Sequence, residues 1–148
     1  MTIREIAAAD REAFLELMDE FYHSEAVLHP VPRAYMERSF AELMRSGEYL
    51  QAWFLETGDA LAGYALISRS FSPEAGGTVI WLEELYLRPD YRGQGMGGEF
   101  LGWMKENVPA ARYRLEVEPE NHRVKALYRR YGFEIFPYQQ MVLETPGE

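Results

Sequence analysis

The sequence has 148 residues, of which 47% are hydrophobic and 26% are charged, a composition typical of one folded domain over residues 1–148. Its 3 Trp, 10 Tyr and 8 Phe need burial, which excludes a mainly disordered chain. The absence of cysteine excludes disulfides, cysteine metal ligands and a cysteine nucleophile. No apolar run resembles a membrane span or an N-terminal leader. We therefore expect a cytoplasmic protein that binds neither membranes nor, at a formal net charge of −9, nucleic acid.

The spacing of apolar residues predicts the order β-α-α-β-β-β-α-β-α-β-β, which indicates a mixed α/β (α+β) domain. Asp10 is the expected N-cap of the first helix, Pro32 begins the second, and Gly58-Asp59 marks a hairpin. The predicted strands cover residues 2–6, 49–57, 60–71, 78–87, 112–118 and a closing pair within 133–144, broken at Pro137.

A glycine-rich stretch follows the strand at 78–87: Arg92-Gly93-Gln94-Gly95-Met96-Gly97-Gly98. An amphipathic helix comes next, so backbone N–H groups of this stretch lie at a helix N-terminus, where the dipole favours anions. Glycines let a ligand approach the backbone closely, and Arg92 adds charge-assisted hydrogen bonds to phosphate. The stretch therefore indicates pyrophosphate binding.

Three interpretations of the glycine-rich stretch compete. A Walker P-loop is excluded because no Gly-Lys-Ser/Thr follows. Gly93, Gly95 and Gly98 formally satisfy the dinucleotide motif G-x-G-x-x-G, with Glu118 placed 20 residues later, but 50 residues are too few for the rest of that fold. A tight turn that binds no ligand is the remaining alternative.

Two segments separated by one strand carry a more specific signal. Arg92, Gly95 and Gly97 have the spacing Arg-x-x-Gly-x-Gly. A second motif, N-x4-A-L-Y-x3-G-F, is present as Asn121, Ala126, Leu127, Tyr128, Gly132 and Phe133. Together the two segments resemble the GNAT superfamily of N-acetyltransferases. The motifs and their strands cover residues 80–134, and the order of elements extends the resemblance to nearly the whole chain.

The resemblance implies a central mixed, mostly antiparallel sheet, splayed in the middle and flanked by about four helices. Acetyl-CoA is the implied co-substrate and would lie in the gap. Its pyrophosphate would meet backbone amides of the glycine-rich stretch, and an amide near Leu85 or Leu87 would polarise the thioester carbonyl. The implied cofactor-binding residues are Leu85, Tyr86, Leu87, Arg92, Gly93, Gln94, Gly95, Met96, Gly97, Gly98, Asn121 and Tyr128.

The implied activity is acetyl transfer to a primary amine, which needs a base. Such an amine has a pKa near 10.4, so freeing its lone pair at pH 7 costs about 4.6 kcal/mol. Glu83 is the first candidate, because desolvation in an apolar strand would make it a better base and the polyamine-acetylating branch has a catalytic Glu there. Glu84 is the alternative, since a bulge would change which residue faces the cleft. Either glutamate has the alternative of pairing with an arginine.

Tyr128 is the implied general acid that protonates the departing thiolate, although its helical spacing alone predicts a core residue. Because the sequence contains no cysteine, an acetyl-cysteine intermediate is excluded, and direct attack in a ternary complex is expected.

The charge distribution suggests the acceptor. Residues 1–87 carry 6 basic and 15 acidic side chains, whereas residues 88–130 carry 9 basic and 6 acidic ones. An uneven solvated surface is the alternative, but the acidic part favours a small cationic amine by steering. The resemblance implies an acceptor site at Tyr22, His23, Glu25, His29 and Phe71. With 3 histidines and no clustered ligands, no metal site is expected.

Two other classes of function compete with the enzyme. A non-catalytic CoA-binding regulatory module would use the same fold, but it would have little need of both Glu83 and Tyr128. A small nucleotide-binding oxidoreductase is disfavoured by the short chain. The predicted closing strands are compatible with a homodimer, and the sequence leaves the oligomeric state open.

Overall fold

The computed structural model describes residues 1–145, which contain five β-strands and four α-helices. The strands are β1 (Thr2–Glu5), β2 (Leu50–Thr57), β3 (Ala60–Ser72), β4 (Gly77–Leu87) and β5 (Arg112–Leu115). The helices are α1 (Arg11–Tyr22), α2 (Arg33–Arg45), α3 (Met96–Asn107) and α4 (His122–Arg130). None of these helices has the length and apolar character that crossing a membrane requires.

The strands form one sheet in the order β1-β2-β3-β4-β5, antiparallel except for the parallel pair of β4 and β5. The predicted mixed class with a mostly antiparallel sheet is therefore confirmed. Alternating side chains of the strands enter two cores, as the two-residue period of a strand requires. On one face Phe54 and Tyr64 pack with α1 and α2, and on the other Leu55 and Ile67 pack with α3.

The parallel pairing of β4 with β5 is short. It joins Val79–Leu82 to Arg112–Leu115, while β4 continues to Leu87. β5 ends three residues before the predicted boundary at 118. Within residues 1–145, β4 beyond Leu82 is therefore paired on its β3 side only. The predicted splay is present as this parting of β4 from β5, which lies at the edge of the described sheet rather than in its middle.

A β-bulge interrupts β4 at the point where β5 leaves it. Leu66 of β3 lies opposite Glu84, and the next residue, Ile67, lies opposite Leu82, so Glu83 is an extra residue. Leu82 packs in the α3-side core, whereas Tyr86 packs in the α1-side core. Residues of equal parity would share a face in a regular strand, so the bulge exchanges the two faces of β4.

Asp10 occupies the predicted N-cap position of α1 but does not cap the helix with its side chain. Its carboxylate instead accepts the backbone N–H of Ala7 at 2.8 Å and the guanidinium of Arg4 at 2.9 and 3.1 Å. The arginine and the preceding turn compete successfully for the carboxylate, which corrects the predicted capping role.

The predicted closing strands within 133–144 are wrong for this structure, because residues 133–145 form no strand. The segment is held by side chains instead: Phe136 lies 5.0 Å from the guanidinium carbons of Arg112 and Arg114, and the Tyr138 hydroxyl donates to Glu74 at 2.9 Å. Pro137 provides no N–H for a ladder. An alternating apolar pattern therefore does not by itself show that a segment pairs with a neighbouring strand.

We expect Gly98→Ala to destabilise the protein and Gly102→Ala to stabilise it, although both add one methyl group to α3. A Cβ at Gly98 would lie 2.8 Å from Cε2 and Cζ of Tyr131 and closer still to its hydroxyl, whereas at Gly102 the nearest ring atom is 4.0 Å away. Helix propensity favours alanine by about 1 kcal/mol, and overpacking costs about 1–3 kcal/mol. Thermal unfolding measures both variants. Shifts of Tm in the same direction would contradict the tight contact between α3 and Tyr131.

Candidate active site

The open edge of β4 presents backbone groups to the gap. Arg88 N–H donates to the Ala62 carbonyl at 2.8 Å, and Tyr86 lies opposite Tyr64 in the same ladder. In an antiparallel pair, alternate residues direct their N–H and C=O groups to the same neighbour. Arg88 and Tyr86 therefore face β3, and Leu85 and Leu87 face the gap.

The turn before α3 directs further donors to the same place. Gly93 and Gly95 have φ angles of 74° and 82°, in the left-handed region where glycine is favoured. The first helical bond runs from Glu99 N–H to the Gly95 carbonyl at 3.0 Å, so the amides of residues 96–98 have no acceptor within the helix. A Cβ at Gly97 would lie 3.9 Å from Leu85 Cδ2, which sets this helix end against the open edge of β4.

Two arginines flank the glycine-rich turn. Arg92 donates from Nε to the Leu87 carbonyl at 2.9 Å and lies over the Tyr86 ring, 5.7 Å from its centroid. A terminal nitrogen of Arg123 lies 3.9 Å from where a Cβ on Gly93 would be. Arg123 was not among the predicted cofactor-binding residues, because it falls at a variable position of the second motif. Its position in the first turn of α4 is the sequence feature that could have indicated a role in anion binding.

Side chains of the turn and of α4 are partly engaged within the protein. Gln94 Nε2 donates to the Asp90 carbonyl at 3.1 Å. Asn121 caps α4, because its Oδ1 accepts Val124 N–H at 3.2 Å. The Nδ2 group is the remaining hydrogen-bond donor of the Asn121 side chain.

Of the predicted cofactor residues, Leu85 and Leu87 face the gap with their backbone, and residues 93–98 form the turn beside it. Tyr86 faces β3 instead, and its hydroxyl donates to Glu20 at 3.1 Å.

Tyr128 is partly buried in the α3-side core, where its ring lies 5.9 Å from that of Phe133. Leu115 belongs to the same cluster and pairs with Leu82, the residue before the bulge. Burial raises the pKa of the Tyr128 hydroxyl, so it stays protonated at neutral pH and can act as a donor.

The two adjacent glutamates have opposite environments. Glu84 is 6% exposed, and its two oxygens accept the hydroxyls of Tyr22 and Tyr64, each at 2.6 Å. Burial raises the pKa of Glu84, against the opposing effect of the two tyrosine hydrogen bonds. Glu83 is exposed and accepts the Ser68 hydroxyl at 2.9 Å. The burial expected of Glu83 thus belongs to Glu84, because the bulge turns Glu84 into the core. In residues 1–145 the hydrogen-bond partners of both are hydroxyls rather than arginines.

The predicted acceptor residues are brought together only in part. Tyr22 ends α1 and contacts Glu84 next to the bulge. His23, Glu25 and His29 follow it in an exposed segment, with His23 Nδ1 2.8 Å from the Asp19 carbonyl. Phe71 is 70% exposed and lies opposite Thr78, about 13 Å along β3 from the bulge, so it is separated from this group.

A cavity of about 270 Å³ opens on the other side of β5. Tyr128 and Leu115 line it together with α4 and residues 133–140, but the open edge of β4 and the glycine-rich turn do not. Residues 1–145 hold no group of three or more His, Asp or Glu side chains placed to bind a metal ion. The parting of β4 from β5, rather than this cavity, is bordered by the backbone groups of Leu85 and Leu87 and by the bulge that carries Glu83.

The fold of this chain is similar to that of solved acetyltransferase structures. A possible acetyltransferase from Clostridium difficile 630 matches 99% of this chain and 98% of its own, with a TM-score of 0.82 and 17% identity. AAC(6')-Iy in complex with the bisubstrate analog CoA-S-monomethyl-acetylneamine matches 97% of each chain, with a TM-score of 0.78 and 16% identity. At these identities the likeness concerns the fold.

The chain belongs to the acetyltransferase (GNAT) family, whose sequence model matches residues 11–133. An uncharacterized protein of Mycobacterium leprae (strain TN) is 31% identical over 137 residues, which are 90% of this chain and 34% of that protein. The thialysine N-epsilon-acetyltransferase of Bos taurus is 35% identical over 78 residues, 51% of this chain and 45% of that enzyme. The chain thus spans between a third and a half of the length of these curated relatives.

Proposed function

We propose that this protein is an acetyl-CoA-dependent N-acetyltransferase that acts on a small cationic primary amine by direct attack in a ternary complex. The observation that carries the proposal is the edge of β4 at Leu85 and Leu87, which has no strand neighbour in residues 1–145 and lies next to the amide groups at the start of α3. The Leu87 carbonyl on this edge accepts Arg92 Nε, which leaves the Leu85 backbone groups and the Leu87 N–H for a ligand. Family membership supports acetyl transfer as the reaction.

The residues at the gap fit acetyl-CoA in two ways. Leu85 and Leu87 offer strand-like hydrogen bonds to an extended amide-containing arm, as an added strand would receive. The amides of residues 96–98 and the guanidinium groups of Arg92 and Arg123 offer a positive environment for a diphosphate. The bound group supplies an activated acetyl thioester, and the adjacent N–H groups of β4 are suited to stabilise charge on its carbonyl oxygen.

Glu83 is the proposed general base, directly or through water. It is exposed where the strands part, and a hydroxyl rather than a cation is its hydrogen-bond partner in the described chain, so its carboxylate is free to accept a proton. Tyr128 is the proposed general acid for the thiolate, since burial against the α3-side core raises the pKa of its hydroxyl and keeps the hydroxyl protonated. The cysteine-free sequence leaves direct transfer as the route.

A cationic acceptor is supported by the negative charge at the gap. Glu83 is exposed at the bulge, and its hydrogen bond comes from the Ser68 hydroxyl rather than from a cation. Residues 1–87 also carry 15 acidic against 6 basic side chains. Such a field attracts an ammonium group and raises its association rate.

Arg123→Ala is expected to weaken CoA binding about tenfold, because a charge-assisted hydrogen bond to phosphate is worth about 1.5–3 kcal/mol before solvent screening. Arg130→Ala on the same helix, about two turns away, is the matched control and should bind CoA as the wild type does. Isothermal titration with CoA measures both, with NAD as the carrier that should not bind. Equal CoA affinities of Arg123→Ala and the wild type would show that Arg123 does not contribute to CoA binding. Binding of NAD would contradict the proposal that the site is specific for CoA.

Glu83→Gln is expected to lower kcat by about 10²-fold at pH 7, because loss of a general base removes about 10²–10⁴ of rate. Tyr128→Phe should lower it less, about tenfold, since a thiolate is a fair leaving group. Free-thiol release from acetyl-CoA with thialysine, neamine or spermidine measures the rates. Glu56→Gln on β2 and Tyr113→Phe on β5 are matched controls expected to keep full rate.

Full activity of Glu83→Gln at all pH values would contradict the proposed role of Glu83 as general base. Unchanged turnover of Tyr128→Phe would contradict the proposed role of Tyr128 as general acid. Binding of acetyl-CoA without thiol release on any amine of a wider library would favour the alternative, a non-catalytic CoA-binding regulatory module on the same fold.

A further inference from the structure

Glu84 is the one charged side chain buried among the described residues, at 6% exposure. Its oxygens accept two short hydrogen bonds from different elements, one from Tyr22 at the end of α1 and one from Tyr64 in β3. A buried carboxylate without a cation is costly, and a well-packed apolar residue would cost less. Stability therefore does not explain a glutamate at this position.

The place of Glu84 in β4 indicates what it does. Glu84 can enter the α1-side core only because the bulge inserts Glu83 and exchanges the faces of the strand. The hydrogen bond from Tyr64 holds Glu84 to β3, and the hydrogen bond from Tyr22 holds it to α1. Together they fix the register in which Glu83 projects from the edge of the gap.

The hydrogen bond between Tyr22 and Glu84 also connects β4 to the segment that holds the predicted acceptor residues. Tyr22 is the last residue of α1, and the exposed segment 23–32 follows it directly. Its ring also packs against Phe21, with centroids 5.0 Å apart, so its hydroxyl is directed by packing as well as by Glu84. One carboxylate thus connects the start of that segment with the strand that carries Glu83.

We infer that Glu84 is a positioning residue: held by Tyr22 and Tyr64, it fixes the β4 bulge and so aligns Glu83 and the segment 23–32 at the gap. This inference rests on the proposed function for its kinetic consequence but not for its structural one. Tyr64 is fully buried, so changing it tests the positioning without removing a group that is exposed to a substrate.

The experiment compares Tyr64→Phe and Glu84→Gln with a matched control, Glu20→Gln. Glu20 also joins α1 to β4, accepting the Tyr86 hydroxyl at 3.1 Å and Arg88 at 3.0 and 3.2 Å, but beyond the bulge. We expect Tyr64→Phe and Glu84→Gln to lower kcat at least about tenfold with spermidine or thialysine, because small misplacement of a reacting group is costly. KM for acetyl-CoA and CoA affinity should stay within about twofold, since the α3 amides, Arg92 and Arg123 that are proposed to bind the diphosphate are unchanged. Glu20→Gln should lower Tm but leave kcat unchanged.

Hydrogen exchange by mass spectrometry provides a readout that needs no acceptor. We expect faster exchange in peptides covering 81–87 and 23–32 for Tyr64→Phe and Glu84→Gln, and not in residues 23–32 for Glu20→Gln. A lower Tm with unchanged kcat, or unchanged exchange at 81–87, would overturn the inference and leave Glu84 a core residue. An equal loss of kcat in Glu20→Gln would also overturn it. If the wild type turns over no amine, the proposed function fails while the exchange result still decides the role of Glu84.

Discussion

In residues 1–145, β4 beyond Leu82 has a strand neighbour on one side only, and the proposed site depends on this loss of pairing. A sheet edge without a neighbour readily pairs with another extended chain. Here α3 begins beside that edge, with Gly97 close to Leu85. The proposed ligand, an extended arm that ends in phosphates, would meet strand-like hydrogen bonds and helix-end donors at this one place.

The bulge at Glu83 places two carboxyl groups in the strand that borders the proposed CoA site. Because it exchanges the faces of β4, two consecutive glutamates acquire different environments, one buried under tyrosine hydroxyls and one exposed at the gap. A base has to exchange protons with substrate or water, which suits the exposed Glu83. A buried carboxylate bound by two hydroxyls is suited to holding backbone in place.

Much of the fold could be predicted from the sequence, because the apolar periodicity of α1, α2 and the long strands reports burial directly. The place of the gap was implied by the family resemblance that the glycine-rich stretch and the N-x4-A-L-Y-x3-G-F motif carry. Their glycines at 93, 95 and 132 do adopt positive φ angles, which few other residues allow. The prediction of two closing strands was wrong because apolar periodicity indicates which side chains would share a face of a strand. It does not indicate whether a neighbouring strand is there to pair with it. The different environments of Glu83 and Glu84 could not be predicted from the sequence, because one extra residue in a β-ladder changes neither the composition nor the spacing of the apolar residues.

If the open edge of β4 and the start of α3 bind one CoA molecule, the backbone amide chemical shifts of ¹⁵N-labelled protein will report it during titration with CoA. We expect the largest changes at Leu85, Leu87 and residues 93–98, with little change in β1 and β2. Saturable changes confined to the cavity beyond β5, with the amides of Leu85 and Leu87 unmoved, would contradict it.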